Sequence, residues 1–216
     1  MPPPLRKVPA PDPGPADPAS ANEQRILQHA LHSFATRGYA ATGLRTIAAD
    51  AQLTAPMVNY YFRTKEALYQ RVGAMVMDGL VAAIAAACPD DGTLLQVLSG
   101  NLSGHLAYGV AHPEAVRFLF GLLYGPEEGR PGFDMTGYAA VEARIRQRFD
   151  RAIRAGAFVL RAGVTRADAI ELYQGLVMSL VMHDAKAPKF GKPVTEPRIA
   201  SRRLGILLAG LGTLHE

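Results

Sequence analysis

The sequence predicts an all-α protein. Apolar residues recur at helical spacing from Ala21 onward, and no stretch shows a convincing alternating strand pattern. The predicted helix boundaries carry caps, glycine or proline. With 216 residues and 49% hydrophobic residues, the chain is long enough for one large domain or for a small domain joined to a medium one. We predict three short N-terminal helices, a long fourth helix, and a larger helical region after it.

Composition restricts the environment and the partners. Residues 1–65 hold seven Lys/Arg against four Asp/Glu, whereas the remainder holds sixteen against fifteen. A basic N-terminal part favours an anionic partner. The single cysteine, Cys88, excludes an internal disulfide and suits a reducing cytosol. Because no run approaches the roughly eighteen uncharged apolar residues of a membrane helix and no signal peptide is present, we expect a cytoplasmic protein without a membrane partner.

The first residues and the first helix differ sharply in composition. Residues 1–20 are rich in proline, which predicts a disordered tail because proline blocks both helix and sheet. Ser20 and Glu23 resemble a capping box that starts the first helix. Gly38 is predicted to end it.

The next two helices are predicted to form a helix-turn-helix. Thr42 is predicted to cap the second helix, Gln52 forms a tight joint, and Thr54 caps the third helix, where Pro56 is tolerated in the first turn. The helical spacing predicts that Val58, Tyr61 and Phe62 point inward. It leaves four residues facing outward, namely Ala55, Met57, Asn59 and Tyr60. A capped, outwardly polar second helix after a short turn is helix-turn-helix geometry.

The outward side chains suit DNA. The Asn59 amide can donate to and accept from an adenine edge. The Tyr60 hydroxyl and the Lys65 ammonium are phosphate donors that fix the register on the duplex. Periodicity alone leaves an alternative open, namely a three-helix packing module in which Tyr60 and Tyr61 are both core residues.

The stretch "GYAATGLRTIAADAQLTAPMVNYYFRTKEALY", which begins at Gly38, resembles the DNA-binding domain of the TetR family of bacterial transcriptional regulators. The resemblance implies a helix-turn-helix DNA-binding domain over residues 21–66, joined by a long helix to an α-helical ligand-binding and dimerisation domain over residues 67–216. It further implies a set of phosphate contacts, namely Thr42, Arg45, Thr54, Tyr60 and Lys65. The residues that it implies to face the bases are Ala55, Pro56, Met57 and Asn59.

Two positions depart from the family pattern. The joint usually carries glycine and here carries Gln52, which costs about 1 kcal/mol if its backbone is left-handed. Asn59 stands where tyrosine is commoner, which favours a base role for it over a phosphate role.

The resemblance implies a DNA-binding transcriptional regulator. We expect a repressor that binds a palindromic operator and is released by a small hydrophobic or aromatic ligand. The alternative is an all-helical small-molecule or lipid-binding protein without a DNA role. Salt-dependent binding to duplex DNA would separate the two.

The larger region is predicted to be helical throughout. Its long first helix runs from Lys65 to about Ala87 and can pass a displacement between the two domains. The remaining helices are predicted at 92–112, 113–125, 134–155, 169–187 and 198–214, with a Gly/Pro-rich loop, "GPEEGRPGFD", before the third of them. Thr165 and Asp168 form a weak capping box ahead of the fourth.

The last two helices are predicted to form a homodimer interface. They carry Gly175, Gly205 and Gly210, where helices can approach closely, and Leu207 and Leu211 belong to apolar residues that cover most of the last helix. The family resemblance implies a four-helix bundle between two copies.

A ligand cavity is predicted from aromatic, methionine and histidine residues in 100–140 and 173–183, although ordinary core packing accounts for any single one. The candidate ligand residues are His105, Tyr108, Phe118, Tyr124, Tyr138, Met178 and His183. No enzyme, cofactor or metal site is expected. His29 and His32 have no third ligand nearby in sequence, and Cys88 has no sign of an activating base.

Overall fold

The computed structural model describes residues 18–125, 131–190 and 197–215. Residues 1–17 of the predicted tail and 126–130 of the predicted loop lie outside this part. The described elements are, in chain order, α1 Pro18–Ala41, α2 Leu44–Asp50, α3 Ala55–Tyr61, α4 Lys65–Ala87, α5 Leu94–Ala111, α6 Pro113–Tyr124, α7 Thr136–Arg154, β1 Phe158–Leu160, α8 Arg166–Phe190, α9 Pro197–Leu211 and β2 Gly212–Leu214. The all-α fold class and the long helix from Lys65 to Ala87 are confirmed.

The start of α1 and the corner between α1 and α2 each differ from the prediction in one detail. α1 begins at Pro18, so Ser20 lies inside the helix rather than at its cap. Gly38 breaks the helix as expected, with φ 79° and ψ 170°. Thr42 does not cap α2, because Gly43 holds that position without a side-chain bond. The buried Thr42 hydroxyl instead donates to the carbonyl oxygens of Ser33 and Gly38, at 3.2 and 2.7 Å.

The joint between α2 and α3 has the left-handed backbone that its family pattern suggests. Gln52 has φ 53°. Its N–H donates to the carbonyl of Ala49 at 3.0 Å, and the N–H of Leu53 donates to that of Ala48 at 2.9 Å. These bonds satisfy carbonyls at the end of α2 and turn the chain into α3. Thr54 then caps α3, as predicted, by accepting the N–H of Met57.

Two hydrophobic cores lie side by side. The first joins α1, α2 and α3 to α4 and to α6, with Ile26, Val58 and Leu68 among its fully buried residues. The second lies among α5, α7, α8 and α9, around Phe149 and Tyr173. α4 is packed most closely against α5 and also contacts α1, α6 and α7. It therefore lies at the centre of the helical packing.

The apolar composition of α4 fits that central position. Within the described residues it alone is long and apolar enough to match a membrane span by length and composition. Eight of its residues are nevertheless buried against other helices of the protein. A helix in a protein core can be as apolar as one that spans a membrane, so the composition of α4 does not distinguish the two.

A small antiparallel sheet closes the chain, contrary to the expectation of a strand-free fold with a helix continuing to Leu214. β1 pairs with β2, so that Phe158 lies opposite Leu214. Each strand has three residues, which is too short for an alternating pattern to show in the sequence. Gly212 passes so close to the Val159 carbonyl that a Cβ would not fit.

Candidate nucleic-acid interface and ligand cavity

One face of α3 is exposed and the other is anchored in the first core. Val58 is fully buried, whereas Tyr60 is 83% exposed and Met57 is 38% exposed. Pro56 and Asn59 are also exposed, while Ala55 is half-buried against the core. The alternative of a packing module with Tyr60 in the core is therefore wrong. The outward set stands as predicted except for Ala55, whose methyl group is shared with the core.

Three predicted phosphate contacts lie where a backbone could reach them. Arg45 on α2, Thr54 and Tyr60 are all exposed. The Thr54 oxygen accepts the Met57 N–H at 3.4 Å, so its hydroxyl hydrogen remains free to donate. Arg63 is an exposed cation directly after α3 that the sequence reasoning overlooked, although its charge and position were legible.

Thr42 is excluded from this surface as a side-chain contact, contrary to the sequence expectation. It is 2% exposed, and its hydroxyl hydrogen is directed at carbonyl oxygens of α1. A buried hydroxyl with internal acceptors cannot also reach a phosphate.

Lys65 joins the start of α4 to the end of α1. Its ammonium donates to the carbonyl of Tyr39 at 2.7 Å and to that of Ala40 at 3.5 Å, and it lies 4.1 Å from the centre of the Tyr39 ring. Burial lowers the pKa of Lys65. Two of its three hydrogens are thus used inside the domain, which leaves one for DNA.

A large cavity of about 980 Å³ lies among α4, α5, α6, α7 and α8. Six of the seven predicted ligand residues line it, namely His105, Tyr108, Tyr124, Tyr138, Met178 and His183. Phe118 does not. It is 2% exposed in the first core, with its ring 5.1 Å from that of Tyr69.

The periodicity of α6 explains the misplacement of Phe118. Val116, Leu119, Phe120 and Leu123 line the cavity at helical spacing. Ala115, Phe118 and Leu122 lie on the opposite face, in the first core. An aromatic residue was assigned to the cavity by type, whereas its helical face decides where it packs.

The sequence reasoning overlooked polar residues of the cavity wall, among them Asn101 and Glu142. A signal for Asn101 was present, because it is an amide in the middle of α5, four residues before His105 and therefore on the same face of the helix. Tyr173 also lines the cavity and is 1% exposed.

The deep wall of the cavity holds a continuous hydrogen-bonded group. His105 Nδ1 lies 2.8 Å from the Asn101 carbonyl oxygen, and its Nε2 lies 2.9 Å from the Tyr138 hydroxyl. Burial lowers the pKa of His105, so the neutral imidazole is favoured. The Tyr108 hydroxyl donates to the Val76 carbonyl at 2.9 Å, and burial raises its pKa to about 12.

Both α4 and α6 touch the cavity and the DNA-binding domain. Met77 and Leu80 of α4 line the cavity, while Leu68 of the same helix lies in the first core. α6 packs on α1, where Glu114 lies 2.6 Å from His32 Nδ1. α6 is therefore a second element, beside α4, that connects the two regions.

The outer face of α8 and α9 carries exposed apolar residues. Ile206 is 66% exposed and Leu172 is 52% exposed. Gly175, Gly205 and Gly210 also face open space. Leu211, which was expected at a partner surface, is 4% exposed and packs in the second core, and Leu207 is half-buried there.

The comparisons with known proteins agree with this geometry. Residues 26–72 match the model of the bacterial regulatory proteins of the tetR family. This segment is therefore similar to the DNA-binding part of TetR-family regulators. The matched residues run from α1 into α4 and contain the helix-turn-helix described above. No match was found among curated protein sequences.

Solved structures of TetR-family regulators share the whole fold. A regulator from Chloroflexus aurantiacus has a TM-score of 0.71 at 15% identity, over 89% of this chain and 94% of that one. PfmR from Thermus thermophilus has a TM-score of 0.66 at 21% identity, over 87% and 95%. The ketosteroid transcriptional regulator KstR2 of Mycobacterium tuberculosis has a TM-score of 0.61 at 19% identity, over 88% and 95%. All three are transcriptional regulators, and the likeness at this identity concerns the fold.

Proposed function

We propose that this protein is a TetR-family repressor that binds a palindromic DNA operator as a homodimer and is released by a small hydrophobic ligand. One observation carries the proposal. An exposed recognition helix and a cavity of about 980 Å³ are joined by two helices, α4 and α6, that have residues in both regions.

The recognition surface combines weak base readers with several phosphate donors. α3 carries no Lys or Arg, so it cannot supply the bidentate arginine contact that reads guanine strongly. Asn59 is the amide on its exposed face and suits adenine, while Met57 suits the methyl group of thymine. Arg45, Thr54 and Tyr60 supply phosphate contacts that hold α3 in the major groove.

Dimerisation through α8 and α9 presents two such helices. The exposed Ile206 and Leu172, together with glycines that face open space, form an apolar surface that a second copy of the chain would cover. A closed two-fold dimer places its recognition helices about one turn of DNA apart, which requires a palindromic site.

Release follows from the way in which α4 is held. Gly100 and Gly104 of α5 bring the two backbones together near Ala87 and Ile84, so this end of α4 is fixed to α5. Its other end begins at Lys65, beside α1. A ligand that repositions the cavity wall would tilt α4 about the fixed end and change the spacing of the two recognition helices.

Coupling requires differential affinity. A ligand releases DNA only if it binds the DNA-incompetent arrangement more tightly. A coupling free energy of about 1–3 kcal/mol would lower DNA affinity about 5–150-fold.

Selection of DNA from a random pool by the purified full-length protein tests the proposal. We expect enrichment of a palindrome, with affinity for the selected duplex that falls steeply as salt is raised. A protein that enriches no sequence and binds duplexes without salt dependence would instead support the all-helical small-molecule or lipid-binding alternative.

A further inference from the structure

The tyrosine hydroxyl groups of the deep cavity wall already use their hydrogens in hydrogen bonds within the protein. The Tyr108 hydroxyl donates to the Val76 carbonyl at 2.9 Å, and that of Tyr173 donates to the Leu98 carbonyl at 2.8 Å. A carbonyl oxygen can only accept, so each phenol has spent its single hydrogen. These two tyrosines can offer only oxygen lone pairs to a ligand.

Tyr138 reaches the same state through His105. The Asn101 carbonyl 2.8 Å from His105 Nδ1 fixes the hydrogen on that nitrogen. In the neutral imidazole, which burial favours by lowering the His105 pKa, Nε2 is then an acceptor. The Tyr138 hydroxyl, 2.9 Å away, therefore donates to Nε2 and turns its lone pairs elsewhere.

The Asn101 amide completes the arrangement. Its Oδ1 accepts from the Tyr173 hydroxyl at 2.7 Å, and that hydroxyl also lies 2.8 Å from the Leu98 carbonyl oxygen. The single Tyr173 hydrogen is thus shared between two acceptors of the protein, and none is left for a ligand.

The charge of the wall excludes anionic ligands. Among the described lining residues there is no Lys or Arg, and the one acidic residue, Glu142, pairs with Arg146 at 3.3 Å. A carboxylate or phosphate group would lose its hydration in this cavity without gaining a cation. An ammonium group would likewise find only neutral groups at the deep wall.

We infer that the cavity binds an uncharged hydrophobic molecule that carries a hydroxyl group, and that this hydroxyl donates to the Tyr138 oxygen. The role of this molecule as the effector rests on the proposed function, whereas its chemical class rests on the cavity wall alone. A volume of about 980 Å³ accommodates a ligand with several fused or linked rings.

Matched ligands test the inference directly. The probes are p-phenylphenol, p-methoxybiphenyl and p-phenylbenzoic acid as one triplet, and decanol, its methyl ether and decanoic acid as another. Calorimetric titration of the full-length protein near neutral pH should show the alcohol of a triplet binding about tenfold more tightly than its ether, the value of one hydrogen bond. The acid should bind more weakly than the ether.

Two variants locate the hydroxyl. Tyr138→Phe removes the acceptor and keeps the ring, so the preference for alcohol over ether should fall to less than about twofold. Tyr124→Phe is the matched control, because Tyr124 lines the cavity but is 68% exposed. It should leave the preference unchanged.

The outcomes separate this inference from the proposed function. Equal binding of alcohol and ether in both triplets, tight binding of an acid, no binding of either alcohol, or an unchanged preference in Tyr138→Phe would overturn the ligand class. DNA affinity is measured separately. An alcohol that binds with the expected preference but leaves DNA affinity unchanged contradicts release by this ligand and leaves the ligand class standing.

Discussion

Gln52 holds a backbone conformation that its own side chain disfavours. At φ 53° the Cβ of a non-glycine residue crowds the backbone and costs about 1 kcal/mol. The Gln52 side chain is exposed, so little packing is lost with it. The hydrogen bonds at this joint come from the backbone N–H groups of Gln52 and Leu53, and both survive substitution by glycine.

Gln52→Gly should therefore stabilise the protein. The greater freedom of glycine in the unfolded chain offsets at least about 0.4 kcal/mol of this strain, so the free energy of unfolding should rise by about 0.5 kcal/mol. For a chain of this length the melting temperature should rise by about 1–2 °C. Urea and thermal unfolding, followed by circular dichroism, measure both quantities.

Gln52→Ala is the matched control. It removes the same side chain atoms beyond Cβ but keeps the Cβ in the left-handed region, so no comparable gain is expected. If glycine gives no gain, or alanine gives the same gain, the strain assigned to this joint does not exist.

Four further outcomes are expected. Asn59→Ala should relax base preference at one position of each half-site by about 1–3 kcal/mol, and identical selected sequences from variant and wild type would contradict a reading role. Lys65→Ala should weaken binding to all duplexes alike and lower the salt slope by at most about one unit. It should also lower the melting temperature, because the carbonyls of Tyr39 and Ala40 lose the ammonium donor; unchanged melting would contradict the anchoring role. Ile206→Glu should give folded monomers in sedimentation, whereas an intact dimer would move the interface elsewhere. Burial lowers the pKa of His105 below its ordinary 6.5, so the unfolded chain binds more protons than the folded one, and the free energy of unfolding should fall as pH drops below about 6.5. His105→Gln should reduce this pH dependence, and an equal dependence of stability on pH in variant and wild type would contradict the assignment.

The sequence predicts the helices of the DNA-binding domain well, because their signals are local. Caps such as Thr54, the glycine at position 38 and the bounds of α4 depend on a few neighbouring residues. Thr42 was misassigned for a reason that is not local. A threonine before a helix suits a cap, but its hydroxyl finds acceptors on α1, nine residues earlier in the chain.

The types of residue in the chain predict that a cavity exists. Nothing in the sequence predicts which of these residues line it. Aromatic residues occur on both faces of α6, and only the packing of α6 on α1 places Phe118 in the first core. Likewise the apolar last helix suggested a partner surface, but Leu211 is covered by the chain itself while Ile206 is left exposed. Tertiary neighbours decide such cases, and they are separated from these residues by long stretches of chain.

The measurement that tests the account most directly is a pair of reciprocal affinities. The affinity of the full-length protein for its selected duplex is measured with and without a saturating hydroxyl ligand, and the affinity for that ligand is measured with and without the duplex. The account predicts that each partner weakens the other by the same factor, in the range of about 5–150-fold. Ligand affinity that is equal for free and DNA-bound protein would contradict release through the cavity.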